Sequence, residues 1–555
     1  MKNKIIIKES VRGIIEYVLK TGSLDDRYMG KSRAIEGTLA HQKLQSSNES
    51  IYSQYQKEVR MEHVFEIGDV TLLVEGRSDG IIIEDNNIYI EEIKSTMKSL
   101  IYIDEDYNEL HWAQGKFYAY IYSIQNKLEE INIRLSYFNI ETEEVKSFDK
   151  RFRFNELEEY IDFIINEYKK WILLKSKLNS IRNESIKALK FPFDNYRKGQ
   201  KELAVTCFNT IKEKAVLFAQ APTGIGKTIS TIFPAVKSLG EDRGERIVYL
   251  TAKTITRTVA EEAVNKLKDN GLKCRNITLT SKEKICFKDK TNCNPEHCEY
   301  AVDYYDKVND VIFDMLGKED NFTRQKIEGY ARDNKVCPFE LSLDLSLWCD
   351  IIICDYNYAF DPRAKLKRFF EEDVDKNILL VDEGHNLVDR ARNMFSAEIY
   401  KSKVMQASKL IKGKVPNLYK ALNSINKELI EIRREVQEAE SISIYKKDQY
   451  KDLYKLLRIF LKECDEYLIK SVNTEGYDEI RDLYFEIRSF ISISELYSDE
   501  YVTLVEVNKN DVKVKLFCVN PSKNLSKVVQ ESYSTTIFSA TLTPINYYID
   551  LLGGD

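Results

Sequence analysis

The chain has 555 residues and a formal net charge of −6, and 43% of its residues are hydrophobic and 31% charged. These proportions are those of a folded globular protein and exclude a disordered or fibrous one, and the length predicts about three to five domains. The slightly negative net charge does not favour nucleic-acid binding, but a local basic groove would be sufficient for such binding. The sequence has no apolar run of about 18 residues that could span a membrane. The N-terminal segment MKNKIIIKES contains too short an apolar run to be a signal peptide. We therefore expect a cytoplasmic protein with reduced thiols.

Two strands are predicted in the segment GRSDGIIIEDNNIYIEEIKS (76–95), on either side of an Asn-Asn turn. Asp79 is expected to begin the first strand. Glu92 and Lys94 lie two apart on the second strand, so their side chains share one face. Two carboxylates and a lysine near strand ends suit cleavage of a phosphodiester, with Mg²⁺ or Mn²⁺ on the carboxylates and the lysine beside the developing charge. The alternative is a structural hairpin with surface charges.

Further polar residues flank this hairpin. His41 precedes it in GTLAH, and Gln114 and Tyr118 follow it in HWAQGKFYAY, four residues apart on one helical face. The order His, Asp, E-x-K, Q-x-x-x-Y resembles the RecB-type branch of the PD-(D/E)XK nucleases. The resemblance implies metal binding by His41, Asp79 and Glu92, catalysis by Lys94, and shaping of the site and the DNA by Gln114 and Tyr118. A folded but inactive nuclease remains an alternative. Because no cysteine precedes Cys207, no iron–sulfur cluster is expected in this domain.

A nucleotide-binding loop is predicted in AVLFAQAPTGIGKTISTIFPAV (215–236), where a strand-like run, a glycine-rich loop and a helical pattern follow one another. Glycines let backbone N–H groups approach phosphates, Lys227 supplies positive charge, and Thr228 offers a hydroxyl to Mg²⁺. A glycine-rich turn with an incidental lysine is the alternative. Ala221 stands where the strict pattern has glycine. The predicted loop residues are Ala221, Pro222, Thr223, Gly224, Ile225, Gly226, Lys227 and Thr228.

Four cysteines are grouped after this loop. Cys286, Cys293 and Cys298 lie in KICFKDKTNCNPEHC (284–298), whose polar residues predict an exposed loop, and Cys337 follows in VCPFE. Four thiolates can hold a 4Fe–4S cluster or tetrahedral zinc, and the spacing does not separate the two. Cys349 and Cys354 flank an apolar strand, so we expect them to be buried thiols.

A second nucleotide-site element is predicted in NILLVDEGHNLVD (377–389), an apolar strand that ends in Asp382 and Glu383. A carboxylate at the end of a buried parallel strand is where a P-loop enzyme holds Mg²⁺, and the next carboxylate can orient the attacking water. We therefore assign Asp382 to the metal and Glu383 to water activation.

Several segments in the expected order resemble one helicase family. Gly384 and His385 complete a DEAH-type box, and the other segments are YRKGQ (196–200), TAKTITR (251–257), CPFELSLDLSLWCDIIICDYNYAFDP (337–362) and FSATLTP (538–544). Together they are similar to the iron–sulfur superfamily 2 helicases related to DinG and xeroderma pigmentosum group D. The resemblance implies ATP, Mg²⁺, a 4Fe–4S cluster in preference to zinc, and 5′ to 3′ movement on single-stranded DNA during repair. It places Arg197, Gln200 and His385 around the nucleotide.

The predicted fold is α/β: a nuclease domain, then a RecA-like motor with inserted iron–sulfur and helical arch domains. The expected bounds are 1–185 for the nuclease-like domain and its helical connector, 186–279, 346–395 and 499–555 for the motor, 280–345 for the iron–sulfur domain, and 396–498 for the arch. The family has a second motor domain with an arginine that completes the ATP site. We therefore expect this chain to bind ATP, to hydrolyse it weakly, and to need that domain or a second subunit. The alternatives are a single-stranded DNA-binding module with an inactive motor or nuclease, and a P-loop kinase or transporter, which the DEAH box disfavours.

Overall fold

The structure is a computed structural model that describes residues 5–25, 34–84, 87–96, 99–140, 142–252, 254–289, 291–370, 374–471 and 474–554. The chain divides into two compact units. The first comprises Met1–Ile181, Phe287–Lys318 and Tyr330–Cys337, and the second comprises Arg182–Cys286, Glu319–Gly329 and Pro338–Asp555. Among the helices of the described part, none is long and apolar enough to cross a membrane.

The N-terminal part of the first unit is a mixed sheet with helices. Its elements are β1 (Ile5–Ser10), α1 (Val11–Leu19), α2 (Ala34–Ile51), β2 (Tyr55–Ile67), β3 (Val70–Glu84), β4 (Asn87–Thr96), a 3-10 turn (Leu100–Tyr102), α3 (Glu109–Asn126), β5 (Glu130–Asn139), β6 (Val145–Arg153) and α4 (Phe154–Ala188). One edge of β3 pairs with β2. Its other edge pairs first with β1, in parallel, and then with β4. The sheet continues through β5 to β6.

The hairpin of β3 and β4 was predicted, but the prediction that its first strand begins at Asp79 was wrong. β3 begins nine residues earlier, at Val70. Its two glycines look like strand breakers in the sequence, yet each allows a tyrosine to approach the strand. A Cβ on Gly76 would lie 2.7 Å from the hydroxyl of Tyr118, and one on Gly80 would lie 2.4 Å from the hydroxyl of Tyr55.

Helices cover both faces of this sheet. Ala40 and Leu44 of α2 pack with Ile93 and Phe138 on one face. On the other face α3 approaches β5 closely, because a Cβ on Gly115 would lie 2.6 Å from Ile133. Residues of a strand alternate between faces. Glu92 and Lys94 therefore face α3, while Glu91 and Ile93 face α2.

The rest of the chain contributes many more elements. In chain order they are α5 (Gln200–Lys212), β7 (Val216–Gln220), α6 (Lys227–Leu239), β8 (Arg246–Thr251), α7 (Thr254–Asp269), β9 (Asn276–Thr278), α8 (Lys282–Ile285), α9 (Tyr304–Lys318), β10 (Asn321–Phe322), α10 (Arg324–Asn334), α11 (Pro338–Ser346), β11 (Ile351–Asp355), α12 (Asn357–Phe360), α13 (Lys367–Phe370), 3-10 turns at Val374–Lys376 and Gly384–Asn386, β12 (Asn377–Asp382), α14 (Leu387–Met394), β13 (Ala397–Tyr400), α15 (Lys401–Ile411), α16 (Pro416–Glu438), β14 (Ser443–Lys446), α17 (Lys451–Lys470), α18 (Tyr477–Glu495), β15 (Tyr501–Asn508), β16 (Asp511–Cys518), α19 (Ser522–Glu531), β17 (Ser534–Ser539) and α20 (Ile545–Leu551).

The second unit is built on a seven-stranded parallel sheet in the order β10-β9-β11-β8-β12-β17-β7. Four of its strands, β8, β9, β12 and β17, are buried at every position. Such runs are typical of parallel strands covered by helices on both faces. The sheet confirms the predicted α/β class, and β7 and β12 confirm the strands predicted before the glycine-rich loop and the DEAH box.

A four-stranded antiparallel sheet, β13-β16-β15-β14, accompanies helices α15 to α18 in the second unit. The helices agree with the predicted helical region 396–498. The hairpin of β15 and β16 was not predicted. Its signal is the alternation of apolar residues in YVTLVEV and DVKVKLFC around a turn in which Lys509 has a φ of 55°.

The segment Phe287–Lys318, which follows the first cluster cysteine, belongs to the first unit. The Leu24 amide donates to the Ala301 carbonyl (2.8 Å), and the Tyr305 amide donates to the Gly22 carbonyl (3.0 Å). The rings of Trp171 and Phe313 pack edge to face, with centroids 5.1 Å apart. Parts of the predicted iron–sulfur domain, 280–345, thus pack with the loop after α1 and with α4, and its bounds as a separate domain stay a prediction.

A buried ion cluster connects elements within the second unit. The Asp350 carboxylate accepts from Arg275 at 2.7 and 2.9 Å and from Arg182 at 3.0 Å. Burial alone raises the pKa of this carboxyl, but Arg275, with help from Arg182, holds the pKa below its ordinary value. The ionised carboxylate therefore stabilises the folded chain.

We predict that Asp350→Ala lowers the free energy of unfolding by about 3–5 kcal/mol at neutral pH, because two guanidinium groups lose their partner. A lowered pKa in the folded state means that the stabilisation is present above the unfolded pKa of about 3.9 and is lost as the pH falls through the folded value. Denaturant unfolding measured from pH 7 to pH 3 should therefore show that the difference in unfolding free energy between the unchanged chain and Asp350→Ala becomes smaller below about pH 4. Asp452→Ala, which removes an exposed ion pair with Lys455, is the control and should leave the midpoint unchanged. If the loss of unfolding free energy in Asp350→Ala does not depend on pH, the ionised Asp350 carboxylate does not have this stabilising role.

Candidate active sites

The predicted nucleotide-binding loop joins β7 to α6. Ala221 is buried, and its amide donates to the carbonyl of Ser539 (2.9 Å). Pro222, Thr223 and Gly224 are exposed, and Ile225 and Gly226 are half-buried. Helix α6 begins at Lys227, so its first N–H groups point toward the loop, as anion binding at a helix start requires.

Glycine is required at the two glycine positions of this loop. Gly224 and Gly226 have φ values of 83° and 82°, a region that other residues enter only at a cost. A Cβ on Gly226 would also lie 2.5 Å from the side-chain nitrogen of Gln200. Arg197 donates to the carbonyl of Gly224, and the Gln200 side chain accepts from the Arg197 amide (2.9 Å). The structure thus brings the two residues of the YRKGQ segment against the loop.

The DEAH residues follow β12 at the same edge of the sheet. Both oxygens of the Asp382 carboxylate are held: Oδ2 accepts from the Tyr249 hydroxyl (2.7 Å) and Oδ1 accepts from the Glu383 amide (2.8 Å). Burial raises the pKa of Asp382 to about 6, against the Tyr249 hydrogen bond, which lowers it. The charge of Lys227 also acts on Asp382. The loop lysine and the candidate Mg²⁺ carboxylate therefore lie in one site.

Glu383 and His385 meet the segment FSATLTP (538–544), which we call the third motif, at Ser539. The Ser539 hydroxyl donates to Glu383 Oε2 (3.0 Å) and lies 2.7 Å from His385 Nδ1. His385 Nδ1 is also 3.3 Å from Glu383 Oε2. Glu383 has a left-handed backbone, with φ 50° and ψ 45°, and a conformation of this kind is retained when its surroundings hold it. Because the Ser539 carbonyl binds Ala221, one residue contacts both the glycine-rich loop and the DEAH box.

The residue-by-residue prediction missed three residues of this site: Tyr249, Tyr356 and Ser539. Tyr356 is fully buried, and its hydroxyl is shared between the carbonyls of Asp382 and Glu383, the latter at 3.1 Å. Each tyrosine lies in an apolar stretch, in RIVYLT and IIICDYNYAF. A buried tyrosine needs a partner for its hydroxyl, and this is the signal that the sequence offered.

In the first unit, Asp79 lies where β3 changes partners from β1 to β4. One oxygen of its carboxylate accepts from the Ile93 amide (2.7 Å), and the other lies 3.5 Å from His41 Nδ1 of α2. The side chains of His41 and Asp79 are 28% and 17% exposed, so solvent reaches both. The structure therefore brings these two predicted residues together.

Glu92, Lys94 and Gln114 form a second contact group. The Lys94 ammonium donates to Glu92 Oε1 and to Gln114 Oε1, each at 2.6 Å. Glu92 is buried, and burial holds the pKa of its carboxyl above the ordinary value. The charge of Lys94 lowers this pKa, the charge of Asp79 raises it, and that of His41 lowers it. Glu92 thus interacts electrostatically with Lys94, Asp79 and His41.

Tyr118 and Glu91 complete the surroundings of this group. Tyr118 packs over Gly76, and burial, with the charge of Glu92, raises the pKa of its hydroxyl. Glu91 was not predicted as a site residue. Its buried carboxylate faces α2 and accepts from three neutral donors: Asn48 (2.9 Å), Tyr55 (3.0 Å) and Ser136 (2.8 Å). Since Asn48 and His41 lie two turns apart on α2, Glu91 helps to hold the helix that carries His41.

The four clustered cysteines differ in exposure. Cys286 and Cys293 are half-buried, and Cys298 and Cys337 are buried at 8% and 7% exposure. Over the ranges that the structure describes, no group of three or more His, Cys, Asp or Glu side chains is arranged to hold a metal ion. The described geometry therefore does not assemble the predicted cysteine site, nor the set of His41, Asp79 and Glu92. Cys349 and Cys354 are buried, as expected.

Chemically, the site of the second unit suits a nucleotide triphosphate with one cation. The Tyr249 hydroxyl that binds Asp382 also interacts with the Thr228 side chain, so the two candidate Mg²⁺ ligands lie beside the same hydroxyl. These donors fit Mg²⁺, which takes one or two carboxylate or hydroxyl oxygens and completes its shell with phosphates and water. Bound Mg²⁺ would offset phosphate charge, while Lys227 contacts the phosphates and Glu383 orients water.

Comparison with known proteins supports a helicase relationship. The DEAD_2 family model matches residues 250–404. The regulator of telomere elongation helicase 1 homolog of Caenorhabditis elegans is 24% identical over 254 residues, which are 38% of this chain and 25% of that protein. The ATP-dependent DNA helicase CHL1 of Vanderwaltozyma polyspora is 21% identical over 428 residues, 69% of this chain and 48% of that protein. The XPD helicase subunit of the transcription and DNA repair factor IIH of Arabidopsis thaliana is 21% identical over 235 residues, 36% of this chain and 30% of that protein.

The chain spans about a quarter to a half of the length of these relatives. A solved structure titled "Truncated XPD" aligns with 64% of this chain and 97% of its own, at 17% identity and a TM-score of 0.43. The relationship therefore rests on the sequence matches. Residues 250–404 form a DEAD_2 helicase domain, and the chain is homologous to these helicases.

We predict that Gly226→Ala weakens ATP binding about tenfold, since a left-handed backbone costs a non-glycine residue about 1–2 kcal/mol and the new methyl group displaces Gln200. Titration with a fluorescent ATP analogue measures this affinity. Gly329→Ala is the matched control, because Gly329 lies in α10 with open space around it. Equal affinity of Gly226→Ala and the unchanged chain would show that the loop does not bind nucleotide in this conformation.

Proposed function

We propose that the chain carries the nucleotide-binding motor of an ATP-dependent DNA helicase that moves on single-stranded DNA in DNA repair or processing. The observation that carries the proposal is the meeting of three segments at one sheet edge. The glycine-rich loop, the DEAH box and the third motif contact one another through Ser539 and Tyr249. The homology to helicases supports DNA as the partner.

In the proposed reaction, each residue has one task. Lys227 and the first N–H groups of α6 bind the phosphates, and Thr228 and Asp382 hold the cation. Glu383 orients the attacking water, and Ser539 connects Glu383 and His385 to the third motif, so that hydrolysis can alter the segment that follows it. We propose that a second motor domain or subunit supplies the arginine that completes the site.

We predict that Lys227→Ala lowers ATP affinity tenfold or more, because a hydrogen bond to a charged group contributes about 1.5–3 kcal/mol. ATP binding and ATP turnover, each with and without single-stranded DNA, are the measurements. Lys212→Ala, on the exposed side of α5, controls for loss of a positive charge. If Lys227→Ala binds and turns over ATP like the unchanged chain, the motor assignment is wrong. DNA binding without any ATP binding would favour the second candidate, a single-stranded DNA-binding module with an inactive motor.

We also propose that the N-terminal part of the first unit is a metal-dependent DNA nuclease. Its support is the contact of Lys94 with Glu92 and Gln114, and of His41 with Asp79, on two adjacent strands and the two helices that cover them. The order and spacing of these residues follow the RecB-type pattern. Tyr118 lies beside this group over Gly76.

We predict that Lys94→Ala reduces cleavage of single-stranded DNA in Mg²⁺ or Mn²⁺ about 10²–10³-fold, the cost of removing one positioned donor from a developing negative charge. A gel assay of labelled DNA measures the cleavage. Lys57→Ala removes a lysine that forms an exposed ion pair with Glu49, and it should cleave normally. Because Lys94 lies outside the motor, ATP binding should also stay unchanged. Cleavage by Lys94→Ala at the normal rate would exclude the nuclease assignment.

A 4Fe–4S cluster on Cys286, Cys293, Cys298 and Cys337 remains part of the proposal, supported by their spacing within a homologous helicase sequence and by their polar neighbours. No step of the proposed mechanism depends on the cluster. Iron and sulfide analysis of the anaerobically purified chain distinguishes it from zinc or from no metal.

A further inference from the structure

A buried tyrosine lies beside the two candidate Mg²⁺ ligands of the motor. Tyr249 lies in the middle of β8 and is 0% exposed. Its hydroxyl donates to Asp382 Oδ2 (2.7 Å) and interacts with the Thr228 side chain. Thr228 lies in the first turn of α6 and Asp382 ends β12, elements that are far apart in the sequence.

The surroundings of Tyr249 show that packing alone does not require its hydroxyl. Its neighbours on the strand, Val248 and Leu250, are aliphatic, and its ring packs against Phe538 with centroids 6.2 Å apart. Phenylalanine would fill the same volume and would bury no polar group. A buried hydroxyl costs free energy unless it is hydrogen-bonded, and here its hydrogen-bond partner, Asp382, is a group that the cation would use.

The Asp382 carboxylate is fixed from two directions. The Glu383 amide binds Oδ1 and the Tyr249 hydroxyl binds Oδ2, so its plane is set before any ligand arrives. Thr228 occupies the first turn of α6, where its backbone position is fixed but its side chain can rotate. The Tyr249 hydroxyl lies beside this side chain and interacts with it.

We propose that Tyr249 is a positioning residue for the cation, whose hydroxyl holds the Asp382 carboxylate, beside Thr228, in the orientation that Mg²⁺ binding needs while the nucleotide is absent. The inference rests on the proposed motor function and adds a residue to it. Tyr249 does not contact the reacting atoms. Its effect is therefore on the Mg²⁺ requirement and not on the binding of nucleotide phosphates by Lys227.

The test is Tyr249→Phe in the full chain, with the affinity for a fluorescent, non-hydrolysable ATP analogue measured at increasing Mg²⁺ and also in EDTA. The expected result is a rise of about tenfold in the Mg²⁺ concentration for half-maximal binding, the scale of one hydrogen bond to a charged group, with unchanged affinity in EDTA. If the Tyr249 hydroxyl only stabilised the fold, its removal would lower the affinity for the analogue equally in Mg²⁺ and in EDTA.

Two further variants make the result specific. Tyr454→Phe removes a buried hydroxyl that has no hydrogen-bond partner among the described residues, and it should not change either affinity. Tyr356→Phe removes a hydroxyl that binds the Asp382 and Glu383 carbonyls and not a candidate ligand. It should lower ATP turnover and leave the Mg²⁺ requirement unchanged. Thermal unfolding of each variant verifies that it is folded.

The outcomes separate the inference from the motor function on which it rests. If the unchanged chain binds the analogue and Tyr249→Phe keeps the same Mg²⁺ requirement, or loses affinity equally in EDTA, the role of Tyr249 is overturned and the motor assignment stands. If the unchanged chain does not bind the analogue at all, the motor assignment is wrong, and the role of Tyr249 is overturned with it.

Discussion

The parallel register of the strands in the second unit is the constraint on which the candidate motor site depends. Phe538 of β17 pairs with Asp382 of β12 on one side and with Ala219 of β7 on the other. Val381 pairs with Leu250 of β8. Because all these strands run in the same direction, their carboxyl ends meet at one edge, which is where ligands bind in open parallel sheets. The register therefore places the glycine-rich loop, the DEAH box and the third motif side by side, although more than 300 residues separate the first from the last.

Buried hydroxyl groups convert this proximity into a defined geometry. Tyr249 holds a carboxylate, Tyr356 holds the backbone that carries Glu383 in a left-handed conformation, and Ser539 contacts Glu383, His385 and Ala221. Each hydrogen bond is worth only about 1 kcal/mol, but breaking one costs more where a buried polar group is left unsatisfied. The first unit uses the same device. There Glu91, on the same strand as Glu92 and Lys94 but facing the other side of the sheet, accepts hydrogen bonds from three neutral donors.

The sequence predicts the parts of both sites that local patterns encode. The glycine-rich loop, the DEAH strand, the hairpin of Glu92 and Lys94, and the helix of Gln114 and Tyr118 are each defined within about twenty residues, so spacing and alternation suffice. The true start of β3, the tyrosine hydroxyls and Glu91 could not be predicted, because each depends on a residue far along the chain: Tyr118 over Gly76, Asp382 beside Tyr249, and Asn48 beside Glu91. The packing of residues 301–313 with the loop after α1 and with α4 is non-local in the same way.

The central claim is that ATP binds at the edge where the loop, the DEAH box and the third motif meet. Hydrogen exchange of the whole chain, with and without Mg²⁺ and a non-hydrolysable ATP analogue, tests this most directly. Our account predicts that exchange slows at residues 224–229, at 382–385 and around 539, and that the strands of the N-terminal sheet are unaffected. Unchanged exchange at 224–229, or slowing confined to another part of the chain, would contradict it.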